Sequence, residues 1–263
     1  MLQKDFKHIG HHSESYQLSV VIMADSFFYS IFDDQNSLIT HHSYKNIHFS
    51  DESVQVILED QALNHQYNQI NVVSLGGNAH QLALPDDDFI HSLPTMAWKE
   101  LYKEQLPGQY IYNYFGITPS QLDLLNQLFK NYNYPIHDFS FLLTAYYIGI
   151  DSPCVHVHFE DHLITIFIQH EGKVQFYNTF TFTTEKDVLY FVLAALNYAH
   201  LDPKSNSVQV TGWIDPKSTI FTLLKSYISQ LTMLEDADFL INTKENYQAA
   251  NYFIHFINRL CAL

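Results

Sequence analysis

One pattern occurs twice in this chain, and a duplicated unit restricts the possible folds more than any single residue can. Residues 18–44 read LSVVIMADSFFYSIFDDQNSLITHHSY, and residues 153–180 read PCVHVHFEDHLITIFIQHEGKVQFYNTF. Aligned without a gap, Val20 falls on Val155, Ile22 on Val157 and Asp25 on Glu160. Ser30-Ile31-Phe32 then falls on Thr165-Ile166-Phe167, and Ile39 on Val174. Apolar alternation between turn-forming residues predicts three short strands in each copy. The second copy continues as helix 184–199, strand 207–212, helix 216–229, strand 230–235 and helix 244–259. The chain is therefore read as α/β, two tandem units of order βββαβαβα.

At 263 residues there is length for two cores of ordinary size. The formal net charge of −15 argues against nucleic acid as a partner, because affinity for a polyanion comes mainly from Lys and Arg displacing counterions. Cys154 and Cys261 lack any CxxC spacing and read as apolar core thiols in a reducing compartment. No apolar run reaches the roughly 20 residues that span a bilayer, and the polar N-terminus lacks the apolar centre of a signal peptide. The expectation is a cytoplasmic protein with no membrane contact.

The organisation expected along the chain starts with an N-terminal arm at 1–16. A first unit follows at 17–150 and a second at 151–263. In the first, strands are expected near 18–24, 27–33 and 37–44. A helix over 51–62 would be capped by Ser50, with Val54, Ile57, Leu58 and Ala62 on its apolar face. Segments 70–75 and 81–84 read as a hairpin turning at Gly76-Gly77-Asn78. Residues 85–116 break the repeat and read as an insertion with one short helix. Helices at 119–131 and 139–148 complete the unit: Pro119 suits a first helical turn, and Gly149 suits a C-cap. In the second unit, Thr183 or Thr184 is expected to cap a helix whose first turn carries Glu185 and Asp187.

Three meandering strands followed by alternating helix and strand is the ribonuclease-H-like unit, and two in tandem resemble the actin-like ATPase architecture. The segment 174–203 together with 208–228 resembles a bacterial family known as a domain of unknown function and described as having that fold. The likeness rests on Tyr177-Asn178-Thr179-Phe180, on Asp187 with Tyr190, and on Leu201-Asp202-Pro203, with weaker agreement at 18–32 and 80–89. It implies a fold and no activity.

Actin-like ATPases hold ATP with two strand-turn-strand loops of the form Asp-x-Gly. The Gly admits backbone amides to the phosphates, and the Asp orients metal or water. Here the first loop offers Met23-Ala24-Asp25 or Asp25-Ser26-Phe27, and the second His158-Phe159-Glu160. All lack the Gly. The adenosine element, elsewhere a Gly-Gly turn, reads Val210-Thr211-Gly212-Trp213. Asp25, Ser26, His158, Glu160, Gly212 and Trp213 thus outline a degenerate cleft, narrowed by Phe27, Trp213 or Glu160. No catalytic residue or cofactor is assigned, and ATP with Mg enters only if the chain is a divergent nucleotide-binding ATPase or phosphotransferase.

His156, His158 and Glu160 alternate along one strand and form a partial set of metal ligands. The competing expectation is that Val155, Val157 and Phe159 face the core while the polar three meet solvent or a helix. Tyr190, Tyr198, Tyr227, Tyr247 and Tyr252 read mostly as core. The preferred function is contact with an unidentified protein partner, or with a second copy as a homodimer. The docking patch is expected near Trp98 in the insertion or on the helices of the second unit.

Overall fold

The strands sort their side chains into three separate cores, and those cores define the layers of the molecule. The computed structural model describes residues 16–76, 81–83, 100–234 and 249–260. In the first sheet β1 (Gln17–Ile22), β2 (Ser26–Phe32) and β3 (Leu38–Lys45) form a meander. β4 (Gln69–Ser74) pairs parallel with β1, giving the order β3-β2-β1-β4-β8, where β8 is Ile136–Asp138. The second sheet repeats that order with β9 (Cys154–Glu160), β10 (Leu163–His170), β11 (Lys173–Thr181), β12 (Ser207–Gly212) and β13 (Gln230–Met233): β11-β10-β9-β12-β13.

The register carries the duplication further. Val20 faces Tyr29 in the first hairpin as Val157 faces Ile166 in the second, so equivalent positions lie two residues beyond the gap-free alignment. Both units also slip register at the same place, between Ile31 and Phe32 and between Ile168 and Gln169. Past that bulge Leu38 corresponds to Val174, each facing the layer between the sheets, whereas sequence alone pairs Ile39 with Val174. In β1 and β2 the slip of two keeps every side chain on its own face, so apolar alternation cannot detect it, whereas in β3 the slip is one residue and exchanges Ile39 for Leu38.

On the outside of the first sheet, Val20, Tyr29 and Val72 pack against α1 (Gln55–Leu58) and α2 (Pro119–Phe129). On the outside of the second, Val157, Ile166 and Val210 pack against α4 (Glu185–Tyr198) and α5 (Thr219–Tyr227). Between the sheets lie α3 (Phe139–Tyr146) and α6 (Phe253–Leu260). Asn258 of α6 donates to Ser19 Oγ at 2.9 Å and to Asn71 O at 3.1 Å, which ties the terminal helix to the first sheet.

Local chemistry explains most helix starts. Thr118 and Gln121 form a reciprocal capping box around Pro119, as do Thr184 and Asp187 in the second unit. The expected helix at 51–62 is shorter: a 3-10 turn capped by Asp51, then α1 of only four residues. Asp60 stops it, because its carboxylate accepts from Ala62 N, from Tyr29 OH at 2.6 Å and from Tyr44 OH at 2.5 Å.

One expectation for the chain after α1 is corrected. Segment 70–75 does not form a hairpin with 81–84: β4 is a parallel central strand, buried along nearly its whole length, while β5 (Gln81–Ala83) pairs with β7 (Tyr112–Ile117). β6 (Glu100–Gln105) completes a three-stranded sheet, so residues 100–117 form a hairpin, and the one short helix expected in the insertion falls to residues 85–99, outside the described residues. The turn at Gly77-Asn78, Trp98, Tyr247 and Cys261 lie outside the described residues.

Candidate functional site

The two turns that would hold phosphates sit at the ends of β1 and β9, and each is two residues long. Met23 N donates to Ser26 O at 2.9 Å, closing the turn Ala24-Asp25. Glu160 pairs with Leu163, closing Asp161-His162. Glu160 therefore occupies the place of Met23, not of Asp25, and the second loop is Glu160-Asp161-His162 rather than His158-Phe159-Glu160. Its left-handed position is taken by Asp161 at φ 51°, not by a glycine.

Neighbours already use both loops. Gln121 Nε2 donates to Met23 O at 2.7 Å, Ser26 Oγ donates to Asp25 Oδ1 at 3.1 Å, and Ile47 N donates to Asp25 O at 2.8 Å. Lys45, at the end of β3, reaches across to Asp161 with Nζ 2.9 Å from Oδ1. The cation that could have met a phosphate is thereby paired with the opposite loop.

His156, His158 and Glu160 share one face of β9 as their alternation requires, but that face looks into the layer between the sheets and all three are buried. They do not meet solvent. His156 Nδ1 lies 2.7 Å from Tyr147 Oη and its Nε2 2.8 Å from Thr211 Oγ1; the ring stacks on Phe253. His158 Nδ1 shares the same threonine hydroxyl at 2.9 Å. Glu160 Oε2 stands 3.9 Å from His158 Nε2, too far for a hydrogen bond. Neither His158 Nε2 nor Glu160 Oε1 has a hydrogen-bond partner among the described residues.

Burial sets the protonation of this layer. Desolvation lowers His158 to about 3 and His156 well below the ordinary imidazole range. It raises Glu160 to about 8, Lys45 opposing and Asp161 adding to the rise. Near neutrality Glu160 is thus mostly a protonated acid rather than a carboxylate that would repel phosphate.

The remainder of the layer is filled from the C-terminal side. His41 on β3, half-buried and lowered to about 3, mainly by desolvation, contacts the rings of Tyr252, His255 and Trp213 at 5.1, 5.2 and 5.8 Å. His255 Nδ1 is 3.1 Å from Ser19 Oγ. Phe27, expected to narrow the cleft, points instead into the outer core of the first sheet. The reading of the sequence gave no role to Lys45, His41 or His255, which no local motif marks.

Gly212 has a structural reason. At φ 86° its backbone passes so close to β9 that a Cβ would lie 1.9 Å from Phe159 O, and Trp213 N donates to that oxygen at 2.8 Å. The indole is 45 % exposed, beside an opening of about 500 Å³ lined by Ile214, Asp215, Pro216, Lys217 and Asn251. Among the described residues no group of three or more His, Cys, Asp and Glu is arranged to hold a metal. No helix there is long and apolar enough to cross a membrane. Cys154 is a half-buried free thiol. Tyr252 is buried, but Tyr190, Tyr198 and Tyr227 are exposed on α4 and α5, not core.

Comparison with solved structures places this geometry in a known fold. A Bacteroides thetaiotaomicron protein described as having an actin-like ATPase fold and unknown function superposes with a TM-score of 0.67 at 20% identity, over 89% of this chain and 94% of that one. The PilM–PilN type IV pilus biogenesis complex matches with a TM-score of 0.57 at 10% identity, covering 93% and 97% of the two chains. The cytoplasmic domain of EpsL, an inner membrane component of the Vibrio cholerae type II secretion system, matches at 0.50 and 9% identity, covering 95% and 96%. No curated protein matches the sequence. The chain thus has the actin-like ATPase fold, and, with a family model matching residues 7–231, it belongs to the family of proteins of unknown function DUF3822.

Proposed function

We propose that this protein is a non-catalytic member of the actin-like superfamily that acts by binding another protein. One observation carries the reading: the space in which that fold elsewhere admits a nucleotide is packed shut by the chain itself. Tyr252, Phe253 and His255 fill the layer between the sheets, and Lys45–Asp161 closes over the two turns. Turns without glycine, with a buried Met23 and a protonated Glu160, do not fit a phosphate clamp. No catalytic step is derived through ATP or Mg. The PilM–PilN complex supports a protein partner by analogy of fold alone. The net charge of −15 disfavours nucleic acid, and the composition suits the cytoplasm.

The experiment is thermal unfolding with and without millimolar Mg-ATP. A ligand at 100 times its Kd adds about 2.7 kcal/mol of stability, so an unchanged melting temperature is the expected result. A saturable rise, abolished in Asp25→Ala, would establish the second reading, a divergent nucleotide-binding protein. The feature favouring that alternative is the half-exposed Trp213 indole beside Lys217, a surface on which a base can stack.

A further inference from the structure

Polar groups in the layer between the sheets join into one line, and counting their hydrogens fixes its direction. Tyr147, just past α3, donates its single hydroxyl hydrogen to Gln209 Oε1 at 2.8 Å. Its oxygen is left to accept, so His156 Nδ1, 2.7 Å away, carries a hydrogen. Desolvation keeps both rings neutral, lowering His158 to about 3 and His156 well below the ordinary imidazole range. A neutral imidazole with its hydrogen on Nδ1 has a bare Nε2, and Thr211 Oγ1 donates there at 2.8 Å. The threonine has no second hydrogen, so in the 2.9 Å contact with His158 Nδ1 the nitrogen is the donor. His158 Nε2 is left bare.

The opposite end agrees with this direction. Glu160 Oε2 stands 3.9 Å from the bare nitrogen, about 1 Å longer than a hydrogen bond. Glu160 Oε1 and His158 Nε2 are buried without a hydrogen-bond partner among the described residues. Desolvation raises Glu160 to about 8, Lys45 opposing and Asp161 adding, so near neutrality the acid is a donor facing an acceptor. Lys45 comes from β3 and Asp161 from the adjoining turn. Around His158, α6 brings His255 and Phe253, α3 brings Phe139, β12 brings Thr211, and β10 sets Thr165 opposite it.

We propose that the line from Glu160 through His158, Thr211, His156 and Tyr147 to Gln209 is a proton relay whose direction is set by the charge on Glu160. With the acid protonated, every hydrogen points from Glu160 toward Gln209. When the acid ionises, the carboxylate needs a donor and the line reverses. The Glu160 proton passes to His158 Nε2, the His158 Nδ1 hydrogen to Thr211 Oγ1, and the threonine hydrogen to His156 Nε2. The His156 Nδ1 hydrogen passes to Tyr147 Oη, and the tyrosine's own proton leaves to water past Gln209, which is half-buried. One proton is released, and each ring stays neutral with its hydrogen on the other nitrogen. The Gln209 amide then turns to donate Nε2–H to Tyr147 Oη. Charge at the seam between the units, where Lys45 meets Asp161, is thereby read at Gln209 on β12.

The test is nitrogen NMR of the imidazoles in the full chain at pH about 6.5 and about 9.5, on either side of the Glu160 transition. Cross-relaxation with the Thr211 methyl group identifies the two rings, and contact with Phe253 or Phe139 tells His156 from His158. Hydrogen is expected on Nδ1 of both rings at the lower pH and on Nε2 of both at the higher. Glu160→Gln, which donates but cannot ionise, is expected to hold the first state at both. Thr211→Val, close in shape but without the hydroxyl, is expected to let His158 switch while His156 stays. Hydrogen on Nε2 of either ring at the lower pH, no change between the two pH values, or an imidazolium at either ring would overturn the proposal. So would a switch at His156 in Thr211→Val. Should that variant fail to fold, Glu160→Gln decides alone, since rings that still switch in it are not driven by the acid.

Discussion

The two faces of the second sheet reverse the usual distribution of polarity. Its inner face, between the sheets, carries His156, His158, Glu160, Thr165, Gln169 and Thr211, all buried. Its outer face is covered by α4 and α5, whose solvent side exposes Tyr190, Tyr198 and Tyr227 beside an apolar groove. A buried polar layer costs stability unless its groups are paired. Here most are: the shared Thr211 hydroxyl, Tyr147 Oη and Ser19 Oγ take up the imidazoles, and Glu160 keeps its proton. The contrast teaches that a polar face can be packed as a core when its groups pair or keep their protons, while the helices on the opposite face leave an apolar groove open.

The largest test of the sealed face is Phe253→Ala. This fully buried ring stacks on His156 at 4.6 Å and contacts Tyr146 at 5.2 Å, so its removal opens a cavity between the sheets. Urea unfolding should show a loss of about 4 kcal/mol; a loss under about 1 kcal/mol would mean the layer is not close-packed. Gly212→Ala should cost nearly as much, about 3 kcal/mol, since the added carbon meets the Phe159 backbone in a left-handed conformation.

The pH dependence sharpens the comparison. His41, His156, His158 and His255 have folded values below the unfolded one, so the stability they carry is lost as pH falls below about 6.5. Glu160 has its folded value raised to about 8, so its contribution is full below the ordinary carboxyl value and is lost as pH rises toward 8. Four histidines outweigh one acid below pH 6.5, and above it the acid acts alone. Stability by denaturant melts at each pH should therefore peak near pH 6.5 and fall by about 2 kcal/mol at pH 8. Glu160→Gln should flatten the alkaline limb only, and an alkaline limb unchanged in that variant would show that the acid ionises freely.

The smallest effect belongs to the rim. Lys45→Ala removes an ion pair whose partners are 42 % and 36 % exposed, so about 0.5 kcal/mol is expected, vanishing in molar salt. A loss several times larger would show that the pair latches the cleft rather than decorating it.

The sequence carried the meander strands of both units, because each strand's apolar alternation is a local signal. It also placed helix starts at Pro119 and at Thr183 or Thr184. It misread 51–62, since nothing local shows that Asp60 would be claimed by Tyr29 and Tyr44 from other strands. It misread the partner of β4, since a parallel strand and a hairpin arm share the same run of apolar residues. In the candidate site the sequence marked Asp25, Ser26, His158, Glu160, Gly212 and Trp213, yet placed Glu160 two residues from its structural equivalent.

What composition and periodicity settle here is the duplicated architecture and the absence of glycine from the two turns that follow β1 and β9, because these depend on residue type and on neighbours along the chain. Whether the space between the units is open or filled depends on segments distant in sequence. Ser19, His41, His158 and His255 come together only when α6 inserts between the sheets, and Lys45 finds Asp161 only when the two turns meet. Those contacts follow from the docking of whole elements, in which burial changes the protonation of the acid and histidines it encloses, and no local pattern encodes that.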